Sequence, residues 1–353
     1  MQYRILGKTG LKVSAVGFGG IPIQRIDARG TRALMERLVE KGVNYIDTAR
    51  GYTVSESYLG EALSGGLREK FILATKSMSR GYADMARDIG ISLSNLRTDY
   101  IDLYQLHNIK SDADFELAFS AEGAVAAIQD AIRAGKVGHL GATAHSVDSF
   151  ERLLSYPEIE TIMFPYNIVE QQGAELIHKC AEKNIGSQGE ALMERAAAQN
   201  VGVIAMKPLA GGNITDGTLA MRYILQNKTC TLAIPGMATL EEIEQNTAAA
   251  EQDGPLTPEE LAACEAIRAG LSGNFCRRCG YCAPCTVGID IPGIFTLENY
   301  LKHYDLADWA RSRYESQTAR AGDCIGCGKC EARCPYELPI REKLKGVAKA
   351  FGA

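Results

Sequence analysis

Asn44-Tyr-Ile-Asp-Thr48 is a short β-type run, the amphipathic stretch Ser55–Leu63 follows it, and Phe71-Ile-Leu-Ala-Thr75 is a second β-type run. This strand–helix–strand order decides the fold because it recurs. Further apolar runs stand at Val13–Phe18, Ile101–Leu106, Val137–Thr143, Thr161–Pro165, Val201–Met206 and Thr229–Ile234. Apolar residues at helical spacing occupy Arg32–Lys41, Ala83–Leu96, Ala121–Ala134 and Leu240–Ala250. Eight β–α units in about 250 residues is the arithmetic of a closed α/β (β/α)8 TIM barrel. An open doubly wound sheet would show fewer strands and a Gly-rich first turn. The nearest approach to one, Gly17-Phe-Gly19-Gly20, lacks a third glycine and runs into Ile21-Pro22 instead of a helix, so it reads as a tight turn at the mouth of the first strand.

The remaining composition sets outer bounds. The chain has 353 residues, 46% hydrophobic and 23% charged, which describes a globular protein rather than a disordered one. A formal charge of -5 argues against a nucleic-acid partner. No run approaches the roughly 20 apolar residues of a membrane span. The opening MQYRILGKTG has no apolar signal core, so a cytoplasmic location is expected. One internal repeat, Gln172–Gly186 against Gln188–Gly202, predicts two successive helices between the sixth and seventh strands. Gly254-Pro255-Leu256-Thr257-Pro258 marks a boundary before a capped helix. The expected organisation is a barrel over 1–253, a linker and helix over 254–272, and a small domain over 273–353.

That small domain holds eight of the eleven cysteines. Without a secretory signal, dense cysteines at short spacings read as metal ligation rather than disulfides. Cys324-IG-Cys327-GK-Cys330-EAR-Cys334-Pro335 has the spacing of a bacterial ferredoxin loop, whose fourth cysteine ligates the other cluster. The expected ligand sets for two [4Fe-4S] clusters are Cys276, Cys279 and Cys282 with Cys334, and Cys324, Cys327 and Cys330 with Cys285. The first group departs from the pattern, with two residues before Cys285 and Thr286 where proline would stand. Structural zinc is the competing reading, but it needs only four thiolates and gains nothing from uninterrupted triplets. Cys180, Cys230 and Cys264 read as small buried apolar residues.

Active sites of such barrels gather at the C-terminal ends of the strands. Asp47 ends the second strand with Tyr52 in the loop beyond it, Lys76 ends the third and His107 the fourth. Each alone could be a cap or a surface charge; together they point to chemistry. Arg50, lying between Asp47 and Tyr52, reads equally as a contact for an acidic substrate or a solvated charge. Asn44–Tyr52, Ile72-Leu-Ala-Thr-Lys76, Asp99–His107, Met206–Gly212 and Ile234-Pro-Gly236 resemble the aldo-keto reductases over residues 1–250, and the whole chain resembles the branch ending in a ferredoxin-type dicluster domain. The resemblance implies an oxidoreductase interconverting an aldehyde or ketone and an alcohol with NAD(P)H, with Tyr52 passing the proton, Lys76 lowering its pKa, Asp47 holding Lys76 and His107 orienting the substrate oxygen. It also implies a nucleotide site from Gly19 and Gly20, from Thr143 and Asn167, from Lys207, Pro208, Leu209 and Gly211, and from Pro235, Gly236, Glu242 and Asn246.

The cofactor side departs from the family pattern. No Lys or Arg stands between Lys228 and Arg268, and Glu241, Glu242 and Glu244 would repel a 2′-phosphate, so NADH is expected over NADPH, with Glu242 accepting a ribose hydroxyl. Met163 and Met206 replace the usual glutamine and aromatic beside the nicotinamide. A hydride carries two electrons and each cluster one, a mismatch normally bridged by a flavin or a substrate radical; no flavin motif is present, and many flavin sites leave none. Two further readings stay open. One is a cluster-dependent enzyme exchanging electrons with an external carrier such as a ferredoxin. The other is a non-catalytic electron-transfer module. The aromatic helix expected over Phe295–Tyr314 would pack against the clusters or roof the pocket.

Overall fold

The computed structural model describes residues 1–170, 188–252, 254–271 and 273–352. The first copy of the repeat, with Cys180, lies outside the described residues; the second contributes the helix Gln188–Ala198. The described chain divides into two compact units, one drawn from Met1–Asn167, Ala191–Pro208 and Asp216–Leu256, the other from Ile168–Glu190, Leu209–Thr215 and Thr257–Ala353.

The first unit opens with an antiparallel pair, β1 (Tyr3–Ile5) and β2 (Lys12–Ser14), with Arg4 opposite Val13. Eight parallel strands follow: β3 (Phe18–Gly19), β4 (Tyr45–Asp47), β5 (Ile72–Ser77), β6 (Ile101–Leu106), β7 (Val137–Thr143), β8 (Thr161–Pro165), β9 (Gly202–Met206) and β10 (Leu232–Ile234). They pair in sequence order, and bridges from Val16 to Ala233 and from Gly19 to Gly236 close the seam between β10 and β3. Gly19 has to be small there, because a Cβ would come within 3.0 Å of the Pro235 carbonyl oxygen. The apolar runs are continuous because both faces are covered. Tyr45, Ala74, Leu103, Met163, Ile204 and Leu232 fill the interior, joined by Leu6 and Val13.

One sequence expectation shifts here. Val13–Phe18 is not a single barrel strand: its first half belongs to the hairpin. The Asn44 side chain accepts from Ser14 N at 2.7 Å and donates to Lys12 O at 2.8 Å, holding that segment beside β4 instead of in the parallel ladder. Helices around the barrel start at side-chain caps. Asp27 accepts from Gly30 N at 2.6 Å, and Ser111 and Thr239 form reciprocal capping boxes with Asp114 and Glu242.

The second unit is mainly helical, with helices Pro258–Leu271, Ile291–His303, Ala307–Glu315, Lys329–Arg333 and Ile340–Phe351. Its core joins Ile294, Phe295, Tyr314, Leu344 and Val347 to Cys282, Cys330 and Cys334. The single helix expected over Phe295–Tyr314 is two, broken at Asp305, whose φ is 52°. The break lets Leu306 turn inward and bury. Tyr300 stacks edge-on to Trp309 with ring centroids 4.7 Å apart and packs against the cysteine-bearing core. No helix among the described residues is long and apolar enough to cross a membrane.

Candidate active site

The register of the barrel sets four groups at one level. Asp47 closes β4, and Lys76 on β5 is paired with Gln105 on β6, two residues before His107. Tyr52 lies in the loop after β4. The Lys76 ammonium donates to Asp47 Oδ1 and, at 2.8 Å, to Thr48 O. Its nitrogen stands 5.0 Å from the centroid of the Tyr52 ring, and the Tyr52 and His107 rings meet edge-on with centroids 6.0 Å apart. All four predicted groups are therefore brought together around Lys76.

The pair at the centre is cut off from water, with Asp47 and Lys76 each only 2% exposed. Burial pushes the Asp47 carboxyl above its ordinary pKa, opposed by Lys76 and by a hydrogen bond from Gln105. Burial likewise pulls Lys76 down, opposed by Asp47 and by the more distant Glu56. Each charge persists because the other is there. A phenol beside such an ammonium is a better acid than a free one, since its anion would be stabilised at once.

Two members of this network were not singled out from the sequence. Gln105 Nε2 donates to Asp47 Oδ2 at 3.2 Å and fixes the carboxylate. Glu56, fully buried, accepts from Thr75 and Ser92 hydroxyls at 2.8 Å and from Arg50 at 2.8 Å. The signal for Gln105 was an amide inside the otherwise apolar end of β6. Arg50 is held by Glu56 through one guanidinium nitrogen, and its side chain is 24% exposed.

The nucleotide candidates fare unevenly. Thr143 Oγ1 accepts from Asn108 N at 2.7 Å, and Asn167 Nδ2 donates to Lys207 O at 3.0 Å, so both are used by neighbouring loops. Lys207 itself has φ 55°, which turns the chain sharply after β9 toward Pro208. Leu209 and Gly211 belong to the second unit, where a Cβ on Gly211 would meet Asn299 Nδ2 at 3.2 Å. Gly20 N donates to Asp47 O at 2.8 Å and Gly19 N to Pro235 O at 2.8 Å, so these backbones line the strand ends with Gly236 beside Pro22. Met163 and Met206 sit in the apolar core.

Glu242 already takes three donors, with its side chain 36% exposed. Its Oε2 accepts from Ala238 N at 2.6 Å and Thr239 N at 3.1 Å, and its Oε1 takes Arg25 at 2.9 Å. The basic partner absent from the chain around Glu242 is supplied by Arg25, which reaches it from the first loop. Asn246 is buried, with its Oδ1 lacking a protein hydrogen-bond partner, which suits a donor on a ligand. The residues thus fit a nucleotide through backbone and Asn246 better than through the nicotinamide side.

In the second unit the cysteines lie in two groups that follow the expected sets. Burial pushes the Cys276 thiol up and those of Cys279 and Cys282 up to about 12, and each of the three is raised further by repulsion from Cys334. Cys285, Cys324, Cys327 and Cys330 line one open pocket. Among the described residues no three acidic, histidine or cysteine side chains are arranged around a single ion. Gly326 and Gly328, at φ 72° and 73°, let the loop fold back on either side of Cys327. Iron binds cysteine as the thiolate, and each set offers four cysteine sulfurs within one unit, so both donor sets fit iron–sulfur clusters, which would supply one-electron storage. Cys230 and Cys264 are buried, as expected for small apolar residues.

A parallel barrel with chemistry at its strand ends, joined to an iron–sulfur unit, defines an oxidoreductase class. The sequence profile of the aldo/keto reductase family matches residues 15–219, and that of the 4Fe-4S dicluster domain matches residues 275–339. The chain belongs to the aldo/keto reductase family and carries a C-terminal 4Fe-4S dicluster domain. It is similar to an L-galactose dehydrogenase of Arabidopsis thaliana, 27% identical over 319 residues, which cover 76% of this chain and 94% of the relative. The oxidoreductase YrpG of Bacillus subtilis is 28% identical over 235 residues, 60% of this chain and 68% of that one. Among solved structures, a putative aldo-keto reductase from Pseudomonas aeruginosa is 28% identical with a TM-score of 0.58, covering 70% of this chain and 95% of its own. The holo form of an aldo-keto reductase from Bacillus halodurans shares the fold, with a TM-score of 0.61 at 24% identity over 76% of this chain and 96% of its own.

Proposed function

We propose that the barrel interconverts a carbonyl and an alcohol with a nicotinamide nucleotide. One observation carries this reading: the Lys76 ammonium, held by Asp47 and Thr48, stands beside the Tyr52 ring at the strand ends. When bound, NAD(P)H would supply or receive the hydride; the chain's own residues manage the proton. In reduction Tyr52 Oη gives a proton to the carbonyl oxygen, and Lys76 stabilises the phenolate left behind. In oxidation Tyr52 takes that proton back. His107, edge-on to Tyr52, orients the substrate oxygen. Asp47, fixed by Gln105, keeps Lys76 charged and aimed. The relative named L-galactose dehydrogenase supports a sugar-like hydroxyl compound as one substrate to try first. Gly19, Gly20, Pro235, Gly236 and Asn246 are the residues that would hold the nucleotide.

A second reading is favoured by the core position of Met163 and Met206 and by the cap and Arg25 contacts that already engage both Glu242 oxygens. In it, electrons reach the barrel's substrate from an external one-electron carrier through the C-terminal unit. The test is an anaerobic titration of the iron-loaded protein with NADH and with NADPH, followed optically. Saturable binding of one nucleotide and turnover with a carbonyl support the first reading. Turnover with a reduced low-potential donor, and none with either nucleotide, selects the second.

A further inference from the structure

The two cysteine sets differ in their access to water. In the first, Cys282 and Cys334 are buried and Cys276 and Cys279 are partly so; in the second, Cys327 is exposed. Beside Cys327 stands Ile325, 63% exposed, the most exposed large apolar side chain among the described residues. The cavity that the second set lines is rimmed by Lys329, Arg333 and Arg341, with no carboxylate among its lining residues. Arg341 is braced by Glu331 at 2.7 Å, and Arg333 by the carbonyls of Cys282 and Pro284 at 2.7 Å, so these cations are held in place. From Arg320 to Lys349 the chain carries seven Lys or Arg against four Asp or Glu, although the whole chain is net -5.

An apolar centre within a cationic rim, over the most accessible ligand of a redox site, is the complement of an acidic protein that delivers electrons at an exposed edge. We propose that the face around Ile325 and Cys327, rimmed by Lys329, Arg333 and Arg341, docks an acidic one-electron carrier protein. The proposal rests on the reading that electrons pass through the C-terminal unit. One electron leaves the carrier and is accepted within the Cys285, Cys324, Cys327 and Cys330 set; no proton or group moves with it. A lipid surface fits less well, because the apolar face of the Ile340–Phe351 helix is turned inward, with Ile340, Leu344 and Val347 buried, leaving a single Ile325 rather than an insertable stripe. Electron-transfer encounters of this kind are small and salt-sensitive, which the test exploits.

The experiment uses the full-length, iron-loaded protein and a small acidic ferredoxin with two [4Fe-4S] clusters as probe, with iron content measured for every variant. Binding to immobilised ferredoxin is measured at low and moderate salt, and electron exchange by stopped flow. Lys329→Glu and Ile325→Ser are expected to weaken binding about tenfold or more at unchanged iron content, and added salt to weaken it further. Arg311→Glu makes the same charge change on another exposed helix and is expected to leave binding within about threefold. A basic c-type cytochrome is expected not to bind. Equal losses in Lys329→Glu and Arg311→Glu would overturn the proposed surface, as would ferredoxin binding indifferent to both patch variants. In those two cases electron exchange persists and the wider reading stands. Absence of any electron exchange with ferredoxin removes that reading itself, and Ile325-dependent binding to phosphatidylglycerol vesicles without ferredoxin binding assigns the patch to a membrane.

Discussion

Replacing Asp47 by asparagine tests the centre of the site, because the cost can be worked from the burial of its partner. The Asp47 and Lys76 side chains are each 3% exposed. In the Asp47→Asn protein the ammonium keeps Thr48 O but loses its counter-charge, and an uncompensated buried charge typically costs about 3–5 kcal/mol. The reciprocal change, Lys76→Met, leaves Asp47 with Gln105, and its carboxyl, already pushed up by burial, escapes by taking a proton as pH falls. At neutral pH either stranded group costs about 3–5 kcal/mol, whether it keeps its charge or gives it up. The first unit holds somewhat over 200 residues, so each variant should melt roughly 6–20 °C lower near pH 7–8. The sign of the pH effect follows from the same shift. A carboxyl whose folded pKa lies above its unfolded value contributes stability that is complete below the unfolded pKa and is lost as pH rises through the folded one. Lys76→Met should therefore narrow its deficit on acidification, whereas Asp47→Asn should not. Melting of the iron-loaded variants from pH 5 to 8, followed by far-UV circular dichroism, measures both. A Lys76→Met deficit that does not narrow on acidification, or an Asp47→Asn protein within about 2 °C of the parent, would refute a desolvated ion pair at this place.

Other changes separate the remaining roles. Tyr52→Phe should cut turnover by about 10²–10⁴ while leaving the iron–sulfur absorbance untouched, measured by steady-state kinetics and optical spectra side by side. Gln105→Leu leaves one Asp47 oxygen without its donor, so kcat should fall with little change in KM and a cost of about 1–3 kcal/mol in stability. Arg25→Ala strips the cation from Glu242, so NADPH affinity should fall more than NADH affinity in paired titrations. Glu170→Gln strands Arg278, whose side chain is 5% exposed, and should destabilise the second unit by about 3–5 kcal/mol, so that cluster absorbance bleaches at a lower temperature.

The barrel was legible because its signals are local and periodic: eight apolar runs at β spacing, separated by helical patterns. The four candidate groups were legible for a related reason. Strand ends can be counted along the chain, and in a parallel barrel neighbouring ends lie at one level. What stayed hidden depends on side chains meeting across hundreds of residues. Arg25 and Glu242 are 217 positions apart, and nothing local to either announces that the pair occupies the carboxylate expected to take a ribose hydroxyl. Glu242 was also a capping-box residue in the sequence, with Thr239 three positions earlier, and that role competes with ligand binding for the same oxygens. Val13–Phe18 read as one strand because its apolar pattern does not say where a hairpin stops and a barrel begins. The break at Asp305 likewise runs against a helical period that continues through it.

The tetrad stabilises negative charge on a substrate oxygen however the electrons arrive, and that determines which experiments discriminate. Hydride addition to a carbonyl and electron-by-electron reduction both build charge on the same atom, and both need a proton there. The Tyr52 phenol beside the Lys76 ammonium serves either. Loss of activity in Tyr52→Phe or Lys76→Met is therefore expected with a nucleotide donor and with a one-electron donor alike, and it identifies the site without naming the electron source. The source is read at the cysteine sets instead. A hydride route leaves cluster absorbance unchanged through a single turnover and survives Cys324→Ala and Cys327→Ala as long as the barrel stays folded. A carrier route bleaches and restores that absorbance once per electron and stops when the water-exposed set is lost.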